Sequence, residues 1–458
     1  MIMEDTIAAI ATAYGEGGIG IIRISGENSL SILNKIFTPF KNSKIESRRM
    51  TYGTINDTSN GHIIDEVLAV YMKKPSTYTA EDVVEINCHG SIISLKRTLE
   101  LVLREGARMA EPGEFTKRAF LNGRLDLSQA EAVIDVIKAK TDKGFDVAVS
   151  QLDGQLSSRI KEIRKSILDL LVEITVNIDY PDEDIEYLTY ENAQKQIKLI
   201  GDMIENLLST ADTGRLIKEG IKVAIVGKPN VGKSSLMNSL LRESRAIVTE
   251  IPGTTRDTIE ESINVRGIPV NLIDTAGIRD TDDIVEQLGI KKSKEAFNSA
   301  DFVIFIVDGS CGLTEEDNEI LELLKDRRCL VLINKQDLGS VIDKELFQSK
   351  LNAADIIPTR LIDGEGIDEI ESYIEGLVYG GKISQKESVL VNNVRHIELL
   401  EKSLKSLNDA SQMIGAGEAL EFVEVDINEA YALLGEIIGE TVSDDVLDEV
   451  FSRFCLGK

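Results

Sequence analysis

A short apolar run that leads into a glycine-rich turn at residues 221–234 constrains the fold more than any other feature of the chain. The run reads IKVAIV, and the turn after it, GKPNVGKS, fits the pattern GxxxxGK[ST]. A strand, this loop and a helix opening near Ser235 would bring successive backbone N–H groups and a helix N-terminus to one point, which suits a phosphate group. In such a loop Lys233 reaches the outer phosphates and the Ser234 hydroxyl can ligate Mg²⁺. The pattern therefore predicts a nucleotide site on an α/β domain.

Further short apolar runs follow the loop, and their ends carry residues that suit a guanine nucleotide. VNLIDTAG, ADFVIFIVDG and CLVLINK have the near-continuous Val and Ile content of strands in a parallel sheet. Asp274 would lie near the metal and the Gly277 N–H near the γ-phosphate, and Thr255 can complete the Mg²⁺ shell. In the NKxD pattern, Asn334 contacts the base and the Asp337 carboxylate accepts hydrogen bonds from guanine N1 and N2, donors that adenine lacks. We therefore predict a Ras-like P-loop GTPase domain over residues 216–382.

The residue after the DTAG motif indicates how GTP hydrolysis differs here from that of small GTPases. In small GTPases a Gln at this position orients the attacking water, but here the residue is Ile278, which cannot. Either hydrolysis is inherently slow, or a polar residue from the stretch 278–288 takes the role. Glu286 and Arg279 are candidates, although both are equally well explained as surface charges on a loop.

Length and composition limit the remaining possibilities. A chain of 458 residues exceeds what one hydrophobic core usually supports, so two or three domains are expected. The net charge of −27 and the absence of Trp argue against a broad basic or stacking surface for nucleic acid. The four cysteines show no CxxC pairing, and no secretory leader or membrane-length apolar run is visible. We expect a cytoplasmic protein.

The spacing of apolar residues changes three times along the chain. Residues 1 to about 118 alternate short apolar runs with Gly-bearing turns, which predicts a mixed α/β domain. Helical spacing dominates from about 127 to 214 and returns after about 382. This pattern predicts one helical domain interrupted by an inserted sheet domain. The predicted domains cover residues 1–120, 121–215, 216–382 and 383–458, the second and fourth being the two parts of the helical domain.

Taken together, the chain resembles the MnmE (TrmE) family of tRNA-modification GTPases over essentially its whole length. The most specific matches are PGEFTKRAFLNG, which begins at Pro112, and the terminal FCLGK at 454–458; GGIGIIRISG, IDYPDEDI, PGTTRD and NVRH also match. The resemblance implies an N-terminal α/β tetrahydrofolate-binding domain that dimerises, a helical domain and the inserted G domain. It implies a homodimer that acts with an FAD-containing partner, MnmG (GidA), to add an aminomethyl or carboxymethylaminomethyl group to C5 of the wobble uridine of certain tRNAs. The one-carbon unit would come from a tetrahydrofolate derivative.

The resemblance also assigns site residues. Arg23, Glu85, Arg124 and Lys458 fall where family members contact folate; the cations suit glutamyl carboxylates and Glu85 suits the pterin donors. G domains of the family dimerise on GTP binding and use K⁺ in place of an arginine finger. The implied K⁺ ligands are Asn230, Thr249, Ile251 and Thr254.

The resemblance favours Glu286 as the residue that positions the attacking water, with Lys233 on the phosphates. Cys455 would take part in the modification chemistry, although a small apolar packing role explains it equally well. The complete set of predicted nucleotide contacts is Asn230, Val231, Gly232, Lys233, Ser234, Ser235, Thr249, Glu250, Ile251, Pro252, Gly253, Thr254, Thr255, Asp274, Thr275, Ala276, Gly277, Asn334, Lys335 and Asp337.

Two alternatives remain open at this point. The first is an Era-like ribosome-assembly or RNA-associated regulatory GTPase, which would share the hydrophobic residue after DTAG. Such proteins usually append a basic RNA-binding domain, which the charge of −27 does not favour. The second makes the G domain a conformational switch only, with all modification chemistry in the partner.

Overall fold

The computed structural model describes residues 5–40, 44–179, 189–243, 260–274, 297–298, 300–325, 327–351, 355–379 and 389–458. The chain divides into two compact units. The first unit comprises Met1–Ile134, Gln151–Asp182 and Glu424–Lys458, and the second comprises Asp135–Ser150 and Glu183–Val423. The predicted domain boundaries stay predictions.

The first unit contains a seven-stranded sheet whose strand order is β3-β4-β5-β6-β2-β1-β7. All its neighbouring strands are antiparallel except β1 and β7, which are parallel. The strands are β1 (Ile7–Ile10), β2 (Gly17–Ser25), β3 (Phe37–Pro39), β4 (Thr51–Asn56), β5 (Ile63–Met72), β6 (Val83–Gly90) and β7 (Arg108–Met109). Helices α1 (Ser29–Ile36) and α2 (Ile92–Arg104) bury their apolar residues, among them Ile32, Leu33 and Leu99, in one core with the strands. The mixed α/β texture predicted for this region is confirmed.

The helices that belong wholly or partly to the first unit follow this sheet. They are α3 (Glu114–Leu121), α4 (Leu127–Lys138), α5 (Asp142–Leu152), α6 (Gln155–Asp179), α14 (Leu420–Ile438) and α15 (Asp444–Ser452). Leu127 and Ala130 of α4 pack with Leu447 and Phe451 of α15 and with Phe454. The last helix and the residues after it are thereby held by an apolar cluster against α4.

The second unit contains a six-stranded sheet with the order β13-β12-β11-β8-β10-β9. Its strands are parallel except for β9, which forms an antiparallel hairpin with β10. The strands are β8 (Ile221–Val226), β9 (Glu260–Val265), β10 (Ile268–Asp274), β11 (Phe302–Asp308), β12 (Cys329–Asn334) and β13 (Asp355–Pro358). Buried side chains from both faces of these strands form two apolar clusters, as expected for a parallel sheet covered on both sides.

The helices of the second unit complete the architecture that the sequence predicts. They are α7 (Tyr190–Leu208), α8 (Ala211–Glu219), α9 (Lys233–Glu243), α10 (Glu315–Leu324), α11 (Lys344–Lys350), α12 (Ile367–Tyr379) and α13 (Val394–Ala416). Helix α9 begins at Lys233 rather than near Ser235, because the chain leaves the left-handed region immediately after Gly232 (φ 118°). The α/β and α multidomain class is confirmed. Among the described helices, none is long and apolar enough to cross a membrane.

Candidate functional sites

The loop between β8 and α9 adopts a conformation that depends on its glycines. Gly227 and Gly232 have φ angles of 150° and 118°, and Asn230 lies at 63°. A Cβ at Gly232 would lie 2.3 Å from Nδ2 of Asn334, and one at Gly227 would lie 2.4 Å from the carbonyl oxygen of Ile306. The loop is therefore packed closely against the ends of two neighbouring strands. This close approach, rather than flexibility alone, explains the spacing of the glycines.

Lys233, the predicted phosphate-binding lysine, lies over the loop that precedes it. Its ammonium donates hydrogen bonds to the carbonyl oxygens of Gly227, at 2.6 Å, and Lys228, at 3.0 Å. Ser234, the predicted Mg²⁺ ligand, is exposed on the first turn of α9, and Ser235 is half-buried. The structure thus brings the predicted lysine and serine to the mouth of one loop, at the N-terminus of a helix, where an anion is stabilised.

Asn334 connects three segments of the second unit. Its Nδ2 donates to the carbonyl oxygen of Val231 at 2.7 Å, and its Oδ1 accepts hydrogen bonds from the Leu361 N–H at 3.1 Å and the Thr359 hydroxyl at 3.3 Å. The Asn334 side chain is buried. The predicted base-contacting residue therefore also holds the phosphate loop to the loop that follows β13.

The lysine of the NKxD motif is held by a carboxylate that the sequence analysis did not single out. Lys335, with a φ of 65°, donates to Asp308 Oδ2 at 2.6 Å, and Ser310 donates to Asp308 Oδ1 through its N–H and hydroxyl. Burial raises the pKa of Asp308, but the hydrogen bonds from Lys335 and Ser310 outweigh this and lower it. Asp308 is the last residue of its strand, as Asp274 is of β10, and the sequence analysis could have identified Asp308 from that shared position. Asp337 is exposed beyond this pair.

Several predicted residues lie outside the described residues, and one is described by its backbone alone. Asp274 is described by its backbone, as the last residue of β10 opposite Ile225 of β8. The remaining predictions lie outside the described residues: Thr249, Glu250, Ile251, Pro252, Gly253, Thr254, Thr255, Thr275, Ala276, Gly277, Ile278, Arg279 and Glu286.

A second cluster lies in the first unit, around the ring of Tyr78. The guanidinium carbons of Arg23 and Arg124 lie 5.3 Å and 4.7 Å from the ring centroid of Tyr78, and that of Arg23 lies 5.7 Å from the Phe115 ring. All three distances are in the range of cation–π contacts. Arg23 also donates from Nε to Glu85 at 2.9 Å. Three of the four predicted folate residues are thus brought together, and Tyr78 and Phe115 are aromatic members that sequence reasoning missed.

The segment that carries Tyr78 is held by a buried charged network. Arg118, with 1% of its side chain exposed, donates to Glu114 at 3.0 Å and to Glu81 at 3.3 Å. Asn122 donates to the carbonyl oxygen of Thr79 at 2.7 Å. Helix α3 and its C-cap Asn122 therefore hold the residues that follow Tyr78, and the surrounding sequence offered no periodic signal for this contact.

The residues after α15 reach the same part of the first unit. The N–H of Phe115 donates to the carbonyl oxygen of Lys458 at 3.2 Å. The N–H of Gly113 donates to the carbonyl oxygen of Cys455 at 3.4 Å. A Cβ at Gly457 (φ 88°) would lie 2.2 Å from the carbonyl oxygen of Ile10. Lys458, the fourth predicted folate residue, thus adjoins Phe115 through its backbone. The Cys455 side chain is exposed.

Two family models match the chain, and together they cover most of it. The model described as the MnmE helical domain matches residues 127–455, and the one described as the GTP-binding protein TrmE N-terminus matches residues 6–124. The tRNA modification GTPase MnmE of Alkaliphilus metalliredigens (strain QYMF) is 55% identical, with 100% of each chain covered.

The chain belongs to the MnmE family of tRNA modification GTPases. The MnmE of Alkaliphilus oremlandii (strain OhILAs) is 54% identical, again over 100% of both chains. Among solved structures, the G domain of the T. maritima FeoB iron transporter is 28% identical, covers 34% of this chain and 96% of its own, and has a TM-score of 0.26. As an MnmE-family member, the chain is a GTP hydrolase acting in tRNA modification, as the sequence predicted. The full-length similarity decides against the Era-like alternative.

Proposed function

We propose that the chain is a K⁺-stimulated GTPase that acts as a cytoplasmic homodimer with an FAD-containing protein of the MnmG (GidA) type. Together they install an aminomethyl or carboxymethylaminomethyl group at C5 of the wobble uridine of certain tRNAs, using a tetrahydrofolate one-carbon unit. The observation that carries the folate part is the grouping of Arg23, Arg124 and Glu85 around Tyr78. The family and the nucleotide loop carry the GTPase part.

The donor set around Tyr78 fits a folate. A folate has a flat heteroaromatic ring with several N–H donors and a tail with carboxylates. Aromatic rings such as Tyr78 offer it a stacking surface, and guanidinium groups such as Arg124 bind carboxylates in two-point contacts. The Glu85 carboxylate accepts from Arg23 at 2.8 Å and keeps further lone pairs for ring donors. When bound, the tetrahydrofolate derivative would supply the one-carbon unit, and the exposed Cys455 thiol would act beside it.

The residues of the second unit have separate tasks in GTP hydrolysis. Lys233 exchanges its two carbonyl partners for the outer phosphates, and Ser234 with Thr255 and Asp274 would hold Mg²⁺. Asn334 and Asp337 select guanine.

K⁺ would supply positive charge at the phosphates, held by Asn230, Thr249, Ile251 and Thr254. The Asn230 side chain is exposed at the loop, which leaves it accessible to an ion. Glu286 positions the attacking water, the role that Ile278 cannot fill.

Folate binding tests the first part of the proposal. Replacing Arg124 by Ala should weaken binding of a tetrahydrofolate derivative about tenfold or more, because a charge-assisted hydrogen bond contributes about 1.5–3 kcal/mol. Binding is measured by titration calorimetry. The matched control is R159A, which removes an arginine that pairs with Glu162 one turn further along α6. Equal affinities of R124A and R159A would contradict the folate assignment.

Two further experiments test the remaining parts. GTP hydrolysis should be several-fold faster in K⁺ than in Na⁺ at equal ionic strength, and equal rates would refute the cation mechanism. Nucleoside analysis of tRNA from cells that carry C455S then tests the role of the thiol. Unchanged wobble modification, with intact GTPase activity, would exclude a chemical role for the Cys455 thiol and favour the alternative in which the G domain is a conformational switch only.

A further inference from the structure

Lys228, the second residue of the phosphate loop, has its side chain directed away from the loop. Its ammonium donates to Asp317 Oδ2 at 3.1 Å and lies 3.8 Å from Sγ of Cys311. The exposed fraction is 16% for the Lys228 side chain and 1% for that of Asp317. Burial lowers the pKa of Lys228, but the hydrogen bond and charge of Asp317 outweigh this and raise it. Lys228 is therefore a largely desolvated cation held against a buried carboxylate.

Asp317 is itself fixed by the start of helix α10. Its Oδ2 accepts from the N–H of Thr314 at 2.9 Å and from the Thr314 hydroxyl at 2.8 Å, and the Thr314 hydroxyl in turn caps the Asp317 N–H. The helix N-terminus adds favourable partial charge to the carboxylate. Asp317 Oδ1 is buried without a hydrogen-bond partner among the described residues. Lys228 is thus the cation that compensates an otherwise buried negative charge.

The backbone of Lys228 contacts the residue that binds the phosphates. The carbonyl oxygen of Lys228 accepts a hydrogen bond from the Lys233 ammonium at 3.0 Å, while the Lys228 ammonium is held by Asp317. A chain of contacts therefore runs from the start of α10, through Lys228, to the lysine at the start of α9. Movement of Lys228 would displace both the loop N–H groups and one of the two carbonyls that orient Lys233.

We propose that Asp317 is a positioning residue of the GTP site, which acts through Lys228 to hold the phosphate loop in its nucleotide-binding shape. The anchor orders the loop before the nucleotide arrives, so that binding does not have to order it. Asp317 touches neither phosphates nor base, and its effect appears in affinity rather than in the rate of the bound complex.

A double-mutant cycle with D317N and K228M tests this proposal. Each single variant should weaken GDP binding about tenfold and raise KM for GTP by a similar factor, with kcat within about twofold of the parent. Because both substitutions remove the same contact, the double variant should bind GDP no more weakly than the single variant with the lower GDP affinity. Affinities are measured with a fluorescent GDP analogue on the full chain. Additive effects, or GDP affinity of D317N within about twofold of the parent, would overturn the proposal.

Two controls separate positioning from helix stability. T314A removes the cap of α10 and one hydrogen bond to Asp317 Oδ2 but keeps the pair of Lys228 with Asp317, so it should lower the melting temperature and weaken GDP binding much less than D317N does. E322Q alters an exposed ion pair with Lys325 on the same helix and should change neither quantity. If T314A weakened GDP binding as much as D317N, the effect would be one of helix stability and the proposal would fail. K228M provides the same comparison if D317N does not fold.

Discussion

Replacing Asn334 by Asp should damage both the stability of the second unit and its affinity for nucleotide. The substitution keeps the size of the side chain and the Oδ1 that accepts from Leu361 and Thr359, but it exchanges the Nδ2 donor for an oxygen. That oxygen would face the carbonyl oxygen of Val231 across the present 2.7 Å hydrogen bond. The change therefore converts a buried attraction into a buried repulsion and adds a negative charge.

The magnitude follows from the contacts. A buried carbonyl left without its donor costs about 1–3 kcal/mol, and the unpaired buried charge adds a similar amount, for about 4 kcal/mol in all at the middle of the two ranges. A cost of about 4 kcal/mol confined to the nucleotide complex would lower GDP affinity about 1,000-fold, which is therefore the upper limit of the loss. The contact joins protein segments without nucleotide, so the share of the cost that falls on the nucleotide-free protein should lower its melting temperature by up to about 8–16 °C.

The assay is differential scanning fluorimetry without nucleotide, followed by titration with a fluorescent GDP analogue. The isosteric control is N318D, on the exposed face of α10, where the side-chain oxygen accepts from Lys350; it should change neither value. A nucleotide-free melting temperature of N334D equal to that of the parent would show that Asn334 serves the base alone. The bridging role would then be wrong.

Three further predictions concern other parts of the chain. His89 Nδ1 donates to Asp65 Oδ1 at 2.6 Å, and this hydrogen bond raises the pKa of His89 above 6.5. The pair contributes its full stability below pH 6.5 and loses it as pH rises through the raised pKa, so the melting temperatures of H89Q and the parent should differ most near pH 6 and converge by about pH 8.5. Burial raises the pKa of Cys88 to about 12 and that of Cys329 to about 11, so maleimide at neutral pH should label only the two exposed thiols, as peptide mass spectrometry would show. R118M should lower the stability of the first unit by about 1–3 kcal/mol in a denaturant titration, because Glu114 keeps its ion pair with Arg108 but loses that with Arg118, and Glu81 loses its hydrogen bonds from Arg118.

Local patterns predicted the elements of the second unit because each depends on residues close together in the chain. Three such patterns are the apolar run before Gly227, the glycines of the loop and the NKxD motif, and each spans only a few residues. In the structure the run is strand β8, the glycines have positive φ angles, and the NKxD motif begins at the end of β12. The contact between Asn334 and Val231 could not be predicted, because it joins positions 103 apart and depends on the order of the strands. The motif indicates which groups meet a ligand but not which groups hold one another.

Fewer contacts of the first unit could be predicted from the sequence. Arg23 and Glu85 were assigned by resemblance, and their pairing follows from the register of β2 and β6, which places them opposite each other. Tyr78 lies in a segment without regular structure between β5 and β6, where no periodic pattern reports burial or direction. Its position depends on hydrogen bonds such as that of its hydroxyl with Thr116 at 2.9 Å, which is a tertiary contact.

The discontinuous first unit has a consequence for the order in which the chain folds. Its strands all lie between Ile7 and Met109, so the sheet can close early from local segments. The N–H groups of Gly113 and Phe115 find their acceptors much later in the chain, and Lys117 pairs with Asp448, 331 positions further on. Contacts of such separation form slowly. The order of synthesis therefore differs from the order of assembly, and the N–H groups of Gly113 and Phe115 gain their acceptors only after the intervening G-domain sequence has been made.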